Sequence, residues 1–360
     1  MHNPFPDGTT KPFIIAGPCA AESEEQVLNI AKALKPLNVN LFRAGLWKPR
    51  TRPDSFEGVG DVGLKWLKRV RDEIKIPVTT EVARASHVEV ALKHEIDALW
   101  IGARTTVNPF AVQELAEALR GVDVPVYVKN PVNPELELWI GAVERFTKVG
   151  VKRLGGIHRG FSSYGEKKYR NKPTWEIPIE FRRRLPNIPL LTDPSHICGR
   201  RDLIYGVSQK ALDLGFDGLM IETHDNPDEA LSDKKQQLTL EAFAQLLCKL
   251  AVRQTEIADP ISKQSLEKLR AVIDGIDEKL LDVLAERMNE VDKIGEVKKE
   301  NGVAIYQPER WNDVRENVKR WAAEKGLSPD LMVKLYEFIH KESIRRQSNV
   351  IHGKEQASEK

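Results

Sequence analysis

Pro77-Val-Thr-Thr-Glu81, Ala98-Leu-Trp-Ile-Gly102 and Pro125-Val-Tyr-Val-Lys129 are short apolar runs, and Val88–Lys93 and Phe110–Leu119 between them read as helices. Continuous apolar strands alternating with helices mean a parallel sheet covered on both faces. The pattern extends outward in both directions. Upstream lie Phe13-Ile-Ile-Ala16 and Asn40-Leu-Phe-Arg-Ala44, with helical stretches at Glu24–Leu34 and Leu64–Ile74. Downstream lie Val151-Lys-Arg-Leu154, Pro189-Leu-Leu-Thr-Asp193 and Gly218-Leu-Met-Ile-Glu222. Eight such units in about 250 residues predict a (β/α)8 TIM barrel. An open doubly wound sheet is the alternative, but it leaves two edges and usually has fewer strands.

Many of these runs end in a polar residue: Arg43, Glu81, Arg104, Lys129, Asp193 and Glu222. In a barrel the strand ends face one rim, where chemistry is built. A single such residue reads as a solvated loop charge; six at matching positions read as a site.

After Arg253-Gln-Thr-Glu-Ile-Ala-Asp-Pro-Ile261 the period changes. Leu266, Leu269, Ile273, Ile276, Leu280, Leu281, Leu284 and Met288 fall at helical spacing, followed by Val291, Ile294 and Val297. Pro308 opens a second helix and Ser328-Pro329 a third. An elongated three-helix unit cannot bury its own apolar stripe, so pairing with a second copy is expected. The expected organisation is an α/β barrel at 1–253, a linker at 254–261, an all-α three-helix domain at 262–352 and a polar tail at 353–360.

Composition narrows the function class. A formal charge of +2 with 30% charged residues argues against a nucleic-acid binder. No apolar run reaches the roughly 18 residues of a membrane span. The start, Met1-His-Asn-Pro-Phe-Pro6, lacks a basic-then-apolar signal. Cys19, Cys198 and Cys248 are an odd, widely spaced set that suggests no disulfide framework. A reducing cytoplasm is therefore expected.

Cys19 follows the first run, His196 the seventh and Glu222 ends the eighth, with Asp233 a little beyond. Strand ends one and eight are neighbours in a closed barrel, so a thiolate, an imidazole and two carboxylates can converge as a divalent-metal site. A buried small thiol and capping carboxylates are the alternative reading. A second group is cationic: Arg43, Lys48 and Arg50 leave the second strand, with Arg104, Lys129 and Arg159 on later ones. Several cations at one rim call for phosphate or carboxylate ligands.

Gly17-Pro-Cys19, Lys48-Pro-Arg-Thr51, Ile101-Gly-Ala-Arg104, Asp193-Pro-Ser-His196 and Leu231-Ser-Asp233 together resemble the type I synthases of 3-deoxy-D-arabino-heptulosonate 7-phosphate (DAHP), especially their β branch. The resemblance runs over roughly residues 10–250. It implies condensation of phosphoenolpyruvate with erythrose 4-phosphate on a metal-holding (β/α)8 barrel. By motif, the metal ligands would be Cys19, His196, Glu222 and Asp233, for Mn2+ foremost, with Fe2+, Co2+ or Zn2+ as alternatives. Phosphoenolpyruvate would be held by Arg43, Lys48, Arg104, Lys129 and Arg159, and erythrose 4-phosphate by Arg50, Thr51 and Asp193. Lys48 is a proton donor or water positioner by this resemblance. The sister synthases of 3-deoxy-manno-octulosonate 8-phosphate share the barrel but take arabinose 5-phosphate. Lys48-Pro-Arg-Thr51 favours the four-carbon sugar. The barrel pattern begins close to residue 1, so no N-terminal regulatory extension is expected before it.

In the helical part, Arg287 and Lys298 are 11 residues apart, about three turns, and share a face. Arg270 points elsewhere, which suits a site on another protomer. Ser343 and Gln347 form an i,i+4 pair. By spacing alone such a face reads as solvated. Leu269 to Arg287, however, resembles the opening helix of the all-helical chorismate mutases, over about residues 262–350. That family is an intertwined dimer converting chorismate to prephenate. Arg270, from the partner, with Arg287 and Arg310 would grip the carboxylates, Lys298 and Gln347 would face the ether oxygen, and Ser343 would complete the site. Gln307 stands where that family commonly has aspartate, and Trp311 where it has a glutamate for the substrate hydroxyl. A mutase-like module that senses prephenate or chorismate and damps the synthase is a further expectation. A non-catalytic sensing module on an octulosonate-type barrel is the alternative reading.

Overall fold

Phe13–Gly17 (β1), Leu41–Arg43 (β2), Val78–Val82 (β3), Ala98–Ile101 (β4), Val126–Lys129 (β5), Leu154–His158 (β6), Leu190–Thr192 (β7) and Gly218–Glu222 (β8) pair in sequence order, all parallel, and β8 returns to β1. This is the closed (β/α)8 barrel. The computed structural model describes residues 12–49, 55–253 and 259–353. Expectations that fall on Arg50 and Thr51 lie outside the described residues.

The pleat separates two apolar layers. Ile14, Ala16, Phe42, Leu99, Ile101, Val126, Val128, Leu219 and Ile221 face the surrounding helices. Phe13, Ile15, Leu41, Ala98, Trp100, Tyr127, Ile157, Leu191 and Met220 fill the barrel interior. Both faces are dry, which is why the runs show no polar alternation. Burying each large side chain stabilises the fold by about 1.5–3 kcal/mol. Trp100 matters most for the site: its ring is the floor on which the rim chemistry stands.

Gly17, at the rim end of β1, has φ 146°, and a Cβ there would sit 2.1 Å from the Arg43 carbonyl oxygen. Only glycine lets β1 and β2 approach so closely. The sixth strand departs from the expected run at 151–154: it runs Leu154–His158. Gly155 and Gly156 are strand residues that make room for aromatics. A Cβ on Gly155 would lie 2.6 Å from the Tyr127 ring, and one on Gly156 2.9 Å from Phe181.

The described residues 259–353 form a second compact unit. It contains three helices, α1 (Pro260–Glu300), α2 (Pro308–Glu324) and α3 (Pro329–His352). Helix α1 starts two residues before the expected domain start at 262, because Asp259 caps it by accepting from Ser262 N and Pro260 takes the first turn. Within the unit α1 buries only Met288, Val291 and Gly295, all in its second half. Leu269, Ile273, Ile276, Leu280 and Leu281, up to its middle, are each more than half exposed.

Candidate active site

At the strand-end rim, Cys19, Glu222 and Asp233 bring one ligand atom each within 4.8 Å of one another. Gly17 pairs with Glu222 in register, so closure of β1 on β8 places the thiol beside the carboxylate. Cys19 Sγ lies 3.3 Å from Asp233 Oδ2 and 3.0 Å from Lys48 Nζ. Asp233 comes from the segment after β8, which Gln237 fastens by accepting from Cys19 N at 2.9 Å. His196 stands at the edge of this group, its Nε2 3.8 Å from Asp233 Oδ2.

Asp193 sets His196 in place. It caps the short helix Pro194–Cys198, with Oδ1 accepting from His196 N at 3.0 Å. Its Oδ2 takes Lys129 Nζ at 2.7 Å and lies 2.8 Å from His196 Nδ1, an ion-pair distance without hydrogen-bond alignment. Burial works against the Asp193 charge, but His196 and Lys129 outweigh it and hold the carboxyl well below its usual range. Glu222, also raised by burial, is pulled below that range by His196 and Arg43. Burial pulls His196 down, against the opposing pull of Asp193 and Glu222.

The Cys19 thiol is pushed up to about 12, first by burial and then by Glu222. Lys48 Nζ is the cation at this buried thiol, and two ionised carboxylates stand beside it. Glu222 Oε1 is buried, faces Arg43 Nη2 at 3.3 Å and accepts no hydrogen bond among the described residues. The donor set therefore fits a divalent ion of borderline softness.

The cations line the same rim. Arg43 is 1% exposed, stacks 4.9 Å above the Trp100 ring, and lies 3.3 Å from Glu222 Oε1. Its Nε and Nη1 are buried with no hydrogen-bond partner among the described residues. Lys129 Nζ lies 5.9 Å from the same ring. Burial pulls Arg159 down to about 10, with Arg104 and Arg170 nearby acting in the same direction. An anion in this space would relieve both the desolvation and the mutual repulsion. Phosphate and carboxylate are such anions.

The opposite mouth of the barrel holds a cavity of about 450 Å³ lined by Arg71 and Arg153. Those cations already pair with Asp97 and Asp123. It also lies at the strand starts, where barrel enzymes build no chemistry.

In the second unit a cavity of about 510 Å³ is lined by Arg287, Lys298, Arg310, Ser343 and Gln347. Arg287 Nη1 donates to Ser343 Oγ at 2.8 Å, and Lys298 Nζ donates to Ile305 O at 2.6 Å. Gln347 is buried, with Oε1 unpartnered among the described residues. Trp311 and Gln307 also line this cavity, and Trp311 stacks on His340 at 4.0 Å and 9°. Arg270 does not reach it: it is exposed and pairs with Glu267 at 2.8 Å on its own helix.

The family model described as the DAHP synthetase I family matches residues 5–259, and that of chorismate mutase type II matches residues 269–348. The chain belongs to the DAHP synthetase I family. Its barrel is 34% identical over 235 residues to the phospho-2-dehydro-3-deoxyheptonate aldolase of Thermotoga maritima, covering 65% of this chain and 67% of that protein. A 2-dehydro-3-deoxyphosphooctonate aldolase of Acidithiobacillus ferrooxidans is 29% identical over 250 residues, covering 64% and 85%. Among solved structures, a DAHP synthase of Thermotoga maritima superposes with a TM-score of 0.59 at 31% identity, covering 66% of this chain and 67% of that one. A truncated form from the same organism gives 0.57 at 28% identity, covering 72% and 87%.

This DAHP synthase barrel carries a chorismate mutase unit on the same chain, so two enzymes of aromatic biosynthesis are fused. The barrel rim brings together Cys19, Glu222, Asp233, Asp193 and His196 with Arg43, Lys48 and Lys129. Sequence reasoning passed over Trp100 as the floor of the site. It also passed over Arg170, whose Nη1 donates to Asp233 Oδ1 at 2.9 Å, and Gln236, whose Nε2 donates to Glu222 Oε2 at 2.6 Å. The one available signal was the Gln236-Gln237 pair three residues after Asp233.

Proposed function

We propose that the rim of the barrel condenses phosphoenolpyruvate with erythrose 4-phosphate, with Cys19, His196, Glu222 and Asp233 as ligands of one divalent ion. The observation that carries this reading is the thiol–carboxylate cluster lying within 4.8 Å at the foot of a cationic rim. When bound, the ion supplies Lewis acidity toward the aldehyde carbonyl of the sugar phosphate. Mn2+ is the proposed native metal, with Fe2+, Co2+ and Zn2+ as substitutes.

The chain's own residues do the rest. Arg43, Lys129, Arg104 and Arg159 receive the phosphate and carboxylate of phosphoenolpyruvate, with Arg43 offering two buried N–H groups that lack protein partners among the described residues. Fixing those two anions presents C3 of phosphoenolpyruvate to C1 of the aldehyde. As the C–C bond forms, these cations hold the phosphate and carboxylate while positive character develops at C2. Lys48 is assigned to proton donation at the aldehyde oxygen, a reading supported by its Nζ lying 3.0 Å from Cys19 Sγ. Water adds at C2, and phosphate leaves by C–O cleavage. Arg50, Thr51 and Asp193 are assigned to the sugar phosphate, giving preference to four carbons over the five of arabinose 5-phosphate.

In the second unit the rearrangement of chorismate needs no acid, base or metal. Arg287 and Arg310 are assigned to its carboxylates, Lys298 and Gln347 to the ether oxygen, and Ser343 to orienting Arg287. Arg270 is assigned to the cavity of a partner protomer, because it does not line this cavity on its own chain. The exposed stripe from Leu269 to Leu281 supports a homodimer through this unit. Prephenate or chorismate in the mutase cavity is the proposed feedback signal. Three unpaired cysteines suit a cytoplasmic setting.

The test follows phosphoenolpyruvate consumption with erythrose 4-phosphate and, in parallel, arabinose 5-phosphate, each with chelator and with added Mn2+. Chelator-sensitive consumption with the four-carbon sugar is expected. Cys19→Ala should lose about a thousandfold in rate, the equivalent of several kcal/mol of Lewis-acid stabilisation. Full activity in that variant sinks the ligand assignment; consumption with arabinose 5-phosphate alone moves the barrel to the octulosonate reaction.

A further inference from the structure

Each carboxylate of the thiol pocket turns one oxygen inward and has the other engaged from behind. Asp233 Oδ2 faces Cys19 Sγ at 3.3 Å and His196 Nε2 at 3.8 Å, while Oδ1 accepts from Arg170 Nη1 at 2.9 Å. Glu222 Oε1 lies 3.7 Å from His196 Nδ1 without a hydrogen bond, while Oε2 accepts from Gln236 Nε2 at 2.6 Å. The two rear contacts are joined, because Arg170 Nη1 also donates to Gln236 Oε1 at 2.7 Å. With its amide oxygen taken by a guanidinium, Gln236 has only N–H groups left for Glu222. One arginine therefore orients both carboxylates.

The clamp is itself held. Arg170 N donates to Cys198 O at 3.3 Å, and Asn171 Nδ2 donates to His196 O at 2.6 Å, so this loop segment also grips the helix carrying His196. Asp233 has φ 51°, the left-handed region that a non-glycine residue seldom adopts. Gln236 N donates to Asp233 O at 3.1 Å across that turn.

Building on the metal reading above, we propose that Arg170 and Gln236 are positioning residues of the metal centre, holding Asp233 and Glu222 as one-oxygen ligands. A carboxylate free to swing would bring its second oxygen onto the ion and fill the position that the substrate carbonyl needs. The clamp keeps that position open. It also sets a positive charge behind Asp233, beside those that Lys48 and Arg43 bring to Cys19 and Glu222.

The experiment uses the full chain, stripped with chelator and titrated with Co2+. A thiolate-to-cobalt charge-transfer band reports Cys19 as ligand, and the intensity of the ligand-field bands reports coordination number. Arg170→Met is expected to bind Co2+ about tenfold to a hundredfold more weakly, the usual cost of losing a partner behind a ligand. Its charge-transfer band should persist while the ligand-field bands weaken, as carboxylates close onto the ion. Arg170→Lys should recover part of both. Wild-type affinity and unchanged ligand-field bands in Arg170→Met overturn the clamp. If Arg170→Met lowers the melting temperature of the metal-free protein, Gln236→Met decides, since it cuts the same link from the Glu222 side: weakened Co2+ binding there supports the clamp, wild-type binding overturns it. A wild-type protein that takes up Co2+ with no thiolate band is a different failure, that of the metal reading itself.

Discussion

His158, at the end of β6, is buried, with Nε2 donating to Pro173 O at 2.7 Å and Nδ1 unpartnered among the described residues. Burial drives it down to about 3, against the pull of the Pro173 carbonyl. An unfolded histidine titrates near 6.5, so protons favour the unfolded chain between the two values. The contribution is complete above about pH 6.5 and is lost as pH falls toward 3, with a slope of up to about 1.4 kcal/mol per pH unit. His158→Gln keeps a donor for Pro173 and cannot titrate in this window. Denaturant midpoints measured from pH 7 to 4 should fall less steeply in the variant; equal slopes would place the proton uptake elsewhere. Chemistry at this scale was legible where a residue type stood at a strand end, as with Glu222 and Asp193. Arg170 was not legible, because a loop arginine carries no period and its partners, Asp233 and Gln236, are more than 60 residues away.

Among elements, the strands were legible because both faces of the barrel wall are dry, leaving unbroken apolar runs. The exception is instructive. Gly155 and Gly156 punctuate a sequence as a turn would, yet here they serve the space taken by Tyr127 and Phe181, a tertiary demand that no local window contains. Helix α1 shows the converse. Its stripe was plain in the sequence, and the monomer leaves the first half of it uncovered. If that half pairs with a second copy, each mutase cavity takes Arg287 from one protomer and Arg270 from the other. Arg270→Ala and Arg287→Ala should each be nearly inactive as mutases. Unfolded together, refolded as a one-to-one mixture and assayed for chorismate loss, they should regain about a quarter of wild-type activity. Half of the dimers are then mixed, and each mixed dimer has one intact site of two. No recovery on mixing would mean that Arg270 serves its own chain or none.

For the molecule as a whole, fusion poses the question of whether one unit reads the other's product. Among the described residues, the metal-ligand cluster lies in the barrel unit. Chelator should therefore stop phosphoenolpyruvate consumption in the intact chain and leave chorismate rearrangement at its original rate; equal loss of both would mean that the mutase unit also depends on an ion. Feedback demands more than joined activities. Prephenate can lower condensation only if it binds two arrangements of the protein with different affinity. Linkage then requires reciprocity: whatever factor prephenate imposes on phosphoenolpyruvate binding, phosphoenolpyruvate must impose on prephenate binding. For a coupling of about 1–3 kcal/mol that factor is roughly 5 to 150. Calorimetric titration of each ligand in the presence and absence of the other should return the same number. A chain ending after Thr255 should consume phosphoenolpyruvate without responding to prephenate. If the truncated chain is inhibited as strongly as the intact one, prephenate acts on the barrel directly, and the mutase unit is a catalyst that shares a chain without controlling it.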